Sequence, residues 1–294
     1  MKHGVVACLL VVICCSVALG QKVRSCANCI ALNKAQPPFR IFGNTYYVGT
    51  HGLSSVLITS PAGHVLIDGD LPESVGQIVD NIRSLGFRME DVKLILNSHV
   101  HFDHAGGIAE LQRRSGARVV ASQWSAEVLR KGGVGKGDPQ YGTLPSIAAV
   151  KNVSVFRDGE SLHLGEVTIT PHLTPGHTPG GTSWTWKSCE GTVCYDMVYA
   201  DSLNPISAPG FRFTKSREYP QAIADFEKSF AFFEAVPCDV LITAHPELSG
   251  LWDRLALREK GVKPDPLADS GGCRKLAEDG REKLRQRLAS EGTK

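Results

Sequence analysis

Short apolar runs alternate along the chain with stretches whose apolar positions recur every three or four residues. The runs read as buried strands and the periodic stretches as amphipathic helices. Phe39–Val48, Ser54–Thr59 and His64–Ile67 predict three successive strands, with Pro61-Ala62-Gly63 as the hairpin turn between the last two. Val75, Ile78, Val79, Ile82 and Leu85 form a helical stripe over Pro72–Leu85, which Gly86 ends. A buried strand over Val92–Leu96 leads to a helix over 105–114, a strand over 118–121 and a helix over Gln123–Arg130. Strands resume at Val153–Arg157, Ser161–Leu164, Val167–Leu173, Thr182–Lys187 and Val193–Ala200. A helix over Tyr219–Val236 buries Ile223, Phe226, Phe230 and Phe233, and the short strand Val240–Ile242 follows it. Two helices, Leu248–Gly261 and Leu267–Leu288, close the chain; the second is basic and amphipathic, a solvated surface helix. A β-rich block followed by β-α-β-α units predicts an α/β fold.

Composition adds little to this picture until the N-terminus. The chain has 294 residues, is 42% hydrophobic and carries a formal net charge of +2, as an ordinary globular protein does. No basic stripe interleaved with aromatics is present, so no nucleic-acid partner is expected. Residues 1–20 differ. A basic start, an apolar run from Val5 to Leu19 and the small residues Ala18 and Gly20 predict a secretory signal peptide cut after Gly20. The run is short for a membrane span. Residues 21–294 are then a single mature domain, near-neutral and exported.

Cysteine usage agrees with export. Cys8, Cys14 and Cys15 leave with the signal, and Cys26, Cys29, Cys189, Cys194, Cys238 and Cys273 remain. An even number in an exported chain predicts disulfides. Local spacing favours Cys189–Cys194 as a hairpin clip across Glu190-Gly191. Cys238–Cys273 would then tie the last strand to the last helix, and Cys26–Cys29 would close a small N-terminal loop. Zinc binding by these thiols is the alternative, although the spacings form no four-Cys set.

The candidate chemistry lies where strands end. After Val92–Leu96 the chain reads Asn97-Ser98-His99-Val100-His101-Phe102-Asp103-His104-Ala105-Gly106-Gly107. Three imidazoles and one carboxylate within six residues are a dense set of ligands for a borderline metal such as zinc. On an extended segment His99 and His101 project to the same side and can share one metal. Asp103 and His104 lie where the chain turns and can reach a second. His177 sits between two Pro-Gly turns at a strand end, and His245 follows the strand Val240–Ile242. The expected ligand sets are His99, His101 and His177 for one metal, and Asp103, His104 and His245 for the other. Three protein ligands per ion leave an open position, as in catalytic rather than structural sites. The Gly-rich stretch Lys131–Tyr141 lacks the spacing and the Lys-Ser/Thr end of a phosphate loop, and is expected to be a plain loop.

His99-Val100-His101-Phe102-Asp103-His104 with the distant His177 and His245 resembles the metallo-β-lactamase superfamily over nearly all of the mature chain. Within it the chain is most similar to the third subclass (B3), whose two ligand sets are complete here. Tyr199-Ala200-Asp201-Ser202-Leu203 has no Cys, and Ser202 matches the serine of that subclass. Gly52-Leu53-Ser54-Ser55, Pro237-Cys238-Asp239 and Cys273 resemble it too. The resemblance implies an αβ/βα sandwich of two mixed β-sheets flanked by helices, with two Zn2+ ions. It implies a monomer without stable membrane association, acting on small-molecule β-lactams. The implied reaction is hydrolysis of the β-lactam amide by a water activated between the two zincs. Asp103 would ligate and orient that water, and Ser202, with Asn204 or Ser207, would hold the substrate. Two alternatives stay open. Asp201, rather than Ser202, faces the metals if the chemistry is that of a thioester, lactone or phosphodiester hydrolase on the same fold. A non-catalytic exported zinc-binding protein is the other.

Overall fold

The computed structural model describes residues 28–292, together with Met1 and Cys26. Met1 apart, the expected signal segment lies outside the described residues. Seven strands form the first sheet: β1 (Phe39–Phe42), β2 (Thr45–Tyr47), β3 (Val56–Ile58), β4 (His64–Ile67), β5 (Val92–Leu96), β6 (Arg118–Ala121) and β7 (Val153–Val155), in that spatial order. Pairing is antiparallel up to β4 and parallel from β4 to β7. The second sheet holds β8 (Leu162–Leu164), β9 (Val167–Leu173), β10 (Thr182–Glu190), β11 (Val193–Ala200) and β12 (Val240–Thr243), in the order 12-11-10-9-8. The helices are α1 (Cys29–Leu32), α2 (Val75–Ser84), α3 (Phe102–Ala105), α4 (Ile108–Ser115), α5 (Gln123–Lys131), α6 (Ala222–Ala235), α7 (Leu251–Glu259) and α8 (Gly272–Gly292).

The apolar runs without alternation are strands buried on both faces. Period two then sorts their side chains. Val65 and Ile67 of β4, with Leu94 and Leu96 of β5, meet Trp184, Met197, Tyr199 and Ile242 between the sheets. Leu66 and Ile95 point the other way, onto Ile78, Val79 and Ile82 of α2 and Leu111 of α4. In the second sheet Val198, Ala200 and Leu241 face outward onto Phe226, Phe230 and Phe233 of α6 and Ala277 and Leu284 of α8. Each fully buried side chain of this size contributes roughly 1.5–3 kcal/mol. Three cores separate four layers, helix, sheet, sheet, helix, as the αβ/βα expectation requires.

Several element boundaries differ, three of them instructively. The strand expected over Phe39–Val48 is a hairpin, because Gly43 at φ +50° turns the chain and pairs Phe42 with Thr45. The helix expected over 105–114 starts three residues later, as α4, after the short α3. Gly107 separates them where a Cβ would collide with the Gly69 carbonyl. The last helix begins at Gly272, not Leu267. The structure pairs Cys26 with Cys29, Cys189 with Cys194 and Cys238 with Cys273, with Cα atoms 5.4, 4.1 and 6.2 Å apart. No helix among the described residues is long and apolar enough to cross a membrane.

Candidate metal centre

Strand ends of both sheets converge on one edge of the sandwich. The loop after β5 brings His99 and His101, α3 brings Asp103 and His104, the loop after β9 brings His177, and the end of β12 brings His245. Asp68, at φ +60° after β4, fixes the first of these loops. Its buried carboxylate accepts from Ser98 N (2.8 Å), Ser98 Oγ (2.5 Å) and the Tyr199 hydroxyl (2.9 Å). The backbone just before His99 is therefore held by both sheets. Gly69 N donates to the His104 carbonyl (2.9 Å) and Gly107 N to the Asp70 carbonyl (3.1 Å), which seats α3 against the end of β4.

All six expected ligands come together, in two groups of three. In the first, the rings of His99, His101 and His177 have centroids 4.6, 4.9 and 4.9 Å apart. In the second, His104 Nε2 lies 3.2 Å from His245 Nε2 and 3.4 Å from Asp103 Oδ2, and His245 Nε2 lies 3.6 Å from Asp103 Oδ2. A tetrahedral ion with ligands at about 2.0–2.1 Å spaces them about 3.3–3.4 Å apart, so these three atoms fit one metal. The rings of His99 and His104 are 4.3 Å apart, which sets the two groups side by side.

The nitrogens turned away from the centre settle which atoms can ligate. His99 Nδ1 donates to Asp201 Oδ1 (2.6 Å), His177 Nδ1 to the Asn204 carbonyl (2.7 Å) and His245 Nδ1 to the Gly52 carbonyl (3.2 Å). Each keeps Nε2 free. His101 is reversed: Nε2 donates to Asp138 Oδ2 (2.9 Å), leaving Nδ1. Outward N–H groups held by carboxylates and carbonyls are the usual support of metal-bound histidines. Asp201 thus stands behind His99, and Ser202 is the residue that lines the cleft.

Electrostatics match this assignment. Burial, then the neighbouring imidazoles, hold His99 well below the ordinary histidine range and bring His177 to about 3 and His245 to about 4. All three are neutral at pH 7, the ligating form. Burial pushes the Asp103 carboxyl up, but His104, His245 and His101 outweigh it and hold it far below the usual range. For His104 burial works downward, yet Asp103, Asp68 and Asp70 raise it to about 9. A metal must displace that proton. Affinity at the Asp103–His104–His245 group is therefore expected to rise about tenfold per pH unit up to about pH 9. Competition against a chromophoric chelator at pH 6, 7 and 8 measures this; a flat response would contradict it.

The ligands floor a cleft of about 470 Å³ whose walls include Phe102, Gln140, Leu144, Ser202, Asn204 and Ile206. A concavity of about 630 Å³ beside α4 and β7 is larger, but no His, Cys, Asp or Glu lines it. Asn204 belongs to the cleft, its Oδ1 accepting from Lys283 Nζ (2.9 Å). Ser207, expected with it, is turned away. Arg287 on α8 donates to its hydroxyl (2.6 Å), and it lines a separate depression with residues 208–212. Nothing in the sequence marks Asp68 or Asp138, both missed as site residues.

Known proteins match this chain over most of its length. The family model described as the metallo-beta-lactamase superfamily matches residues 48–268. Among solved structures, Rm3 metallo-beta-lactamase is 57% identical with a TM-score of 0.89, covering 91% of this chain and 99% of that one. MEM-A1, a subclass B3 metallo-beta-lactamase from a soil metagenome library, is 52% identical with a TM-score of 0.87, covering 89% and 99%. A curated hydroxyacylglutathione hydrolase from Bradyrhizobium sp. is 29% identical over 145 residues, 49% of this chain and 47% of that protein. The chain thus spans only about half the length of that curated relative. With its two sheets, its complete ligand groups and its likeness to Rm3 and MEM-A1 over nearly their whole lengths, this chain belongs to the metallo-beta-lactamase superfamily, where it is most similar to subclass B3.

Proposed function

We propose that the protein hydrolyses the amide bond of β-lactam antibiotics, with two Zn2+ ions held by the two ligand groups. One observation carries the reading. Two three-ligand groups, in which His99, His101, His177 and His245 have their outward nitrogens held, lie side by side on the floor of one open cleft. His99 Nε2, His101 Nδ1 and His177 Nε2 would hold one ion; Asp103 Oδ2, His104 Nε2 and His245 Nε2 the other. When bound, the ions supply Lewis acidity at the carbonyl and bring the pKa of water toward neutrality. The chain's own residues do the positioning. Asp103, held ionised, is the acceptor that orients the attacking water. Ser202 presents a hydroxyl to the substrate's polar groups. Asn204, with Oδ1 engaged by Lys283, presents its amide N–H groups. Phe102, Leu144 and Ile206 shield the apolar parts of the ligand.

The hydroxyacylglutathione hydrolase match favours a thioester substrate as the second reading. The engagement of Asp201 by His99 weighs against it, because that carboxylate is not placed to bridge two metals. A substrate panel separates the two. Penicillin, cephalosporin and carbapenem turnover is expected to exceed that of a glutathione thioester or an acyl-homoserine lactone by at least about 100-fold in kcat/KM, a gap of about 2.7 kcal/mol in transition-state stabilisation. Preference for the thioester or lactone would overturn the assignment.

Export to the periplasm belongs to the same reading. The basic-apolar-small pattern of residues 1–20 supports it, and the three cysteine pairs are those of an oxidising compartment. Periplasmic protein is expected to begin at Gln21 and to carry no free thiol; intact mass with and without alkylation reads both. The near-neutral charge supports a protein with no nucleic-acid partner, and the same reading takes it as a monomer.

A further inference from the structure

Residues 133–147 form an excursion beside the cleft, closed at its base by the bridge between Gly133 and Ile147. Gln140, Thr143, Leu144 and Pro145 on it face the cleft. Glycines at 133, 135, 137 and 142 leave little intrinsic stiffness, and Gly137 takes φ +92°. Among the described residues one side chain of this segment hydrogen-bonds outside it. That side chain is Asp138, fully buried opposite His101. Its Oδ2 accepts from His101 Nε2 (2.9 Å), and its Oδ1 accepts from Gln140 N (2.7 Å). The next residue adds a backbone tie, Ala208 N donating to the Pro139 carbonyl (2.8 Å). One carboxylate therefore grips a metal-ligand ring with one oxygen and the cleft-lining backbone with the other.

We propose that Asp138 is a positioning residue that couples the first metal site to the 133–147 segment, so that filling the site orders the cleft wall. The coupling follows from the two ends of the carboxylate. A metal on His101 Nδ1 makes Nε2–H a stronger donor and fixes the ring. Asp138 is then fixed, and with it the Gln140 amide. A negative charge buried this fully is favoured by a nearby cation, which strengthens the tie when the metal is present. Without a metal Asp138 still holds His101 and the Gln140 amide, but nothing fixes the His101 ring at Nδ1, so the segment opens more readily. The proposal rests on the two-metal reading above.

The test titrates Zn2+ into metal-free wild type and Asp138→Asn protein, reading stepwise affinity by chelator competition and amide exchange across 133–147 by mass spectrometry. Asp138→Asn keeps the size of the side chain and one acceptor but loses the charge and sets an NH2 against one of the two donors. Zinc is expected to slow exchange of 138–145 at least about tenfold in wild type. In Asp138→Asn that slowing is lost and the tighter zinc step weakens about 10–100-fold. The metal-free melting temperature shifts little, which separates positioning from global stability. If wild type takes up two zincs but exchange of 138–145 does not change, the coupling is wrong. If Asp138→Asn binds zinc like wild type, the positioning role is wrong. Wild type that takes up no zinc would overturn the two-metal reading and this proposal together. Should Asp138→Asn fail to fold, the wild-type exchange measurement still decides the coupling.

Discussion

His101→Ala lowers kcat/KM by on the order of 10³-fold or more and abolishes tight binding of one zinc. Loss of a single oxyanion donor costs about 10²–10³-fold in well-studied hydrolases, and a metal ligand supports several such interactions at once. The position gives the size of the effect. His101 supplies Nδ1 to a group whose three rings sit within 4.9 Å of one another, and His99 and His177 alone leave a two-ligand site. The variant also leaves Asp138 buried without its imidazole partner, a penalty on stability of about 1–3 kcal/mol. Two zincs bound with wild-type affinity, or activity within tenfold of wild type, would remove His101 from the site.

Asp103→Asn separates ligation from charge. The amide oxygen can still approach the second metal, but the negative charge beside His104 and His245 is gone. A loss of about 10²–10³-fold in kcat is expected, with KM changed far less, because the proposed mechanism has Asp103 orient the attacking water rather than the bound substrate. The pH dependence provides the second signature. Asp103 is the largest of the charges that raise His104 to about 9. Without it the His104 proton is held less tightly, so zinc uptake at the second group loses much of its rise with pH. A variant that keeps wild-type kcat, or whose zinc affinity keeps the full wild-type pH slope, contradicts the role given to this carboxylate.

The ligands were legible because apolar runs mark strand ends. Val92–Leu96 and Val240–Ile242 announce the strands that deliver His99, His101 and His245, and the paired Pro-Gly turns isolate His177. Alternation along an extended chain put His99 and His101 on one side, as the structure has them. The sandwich itself came from resemblance, since strand order carries no local signal of which sheet each strand joins. The residues that hold the ligands were not legible. Asp138 lies in a Gly-rich stretch with no periodicity, and only the tertiary fold brings it to His101. Asp68 reads as the polar end of a strand, and its φ of +60° is imposed by contacts with Ser98 and Tyr199 from distant segments. Whether Asp201 or Ser202 faces the cleft turns on a one-residue register, which the end of β11 decides and its sequence does not. The resemblance implies Ser207 as a substrate contact, but Arg287 of α8 takes its hydroxyl, a long-range contact that no local pattern marks.

The central claim is that these six residues hold two metals which together open a β-lactam ring. Turnover of a chromogenic cephalosporin by metal-free protein, followed as zinc is added in fractional equivalents, tests it most directly. Activity near zero without metal, rising to a plateau at two equivalents and lost again to a chelator, is the predicted result. Turnover that is independent of zinc, or no turnover in protein carrying two bound zincs, would contradict it.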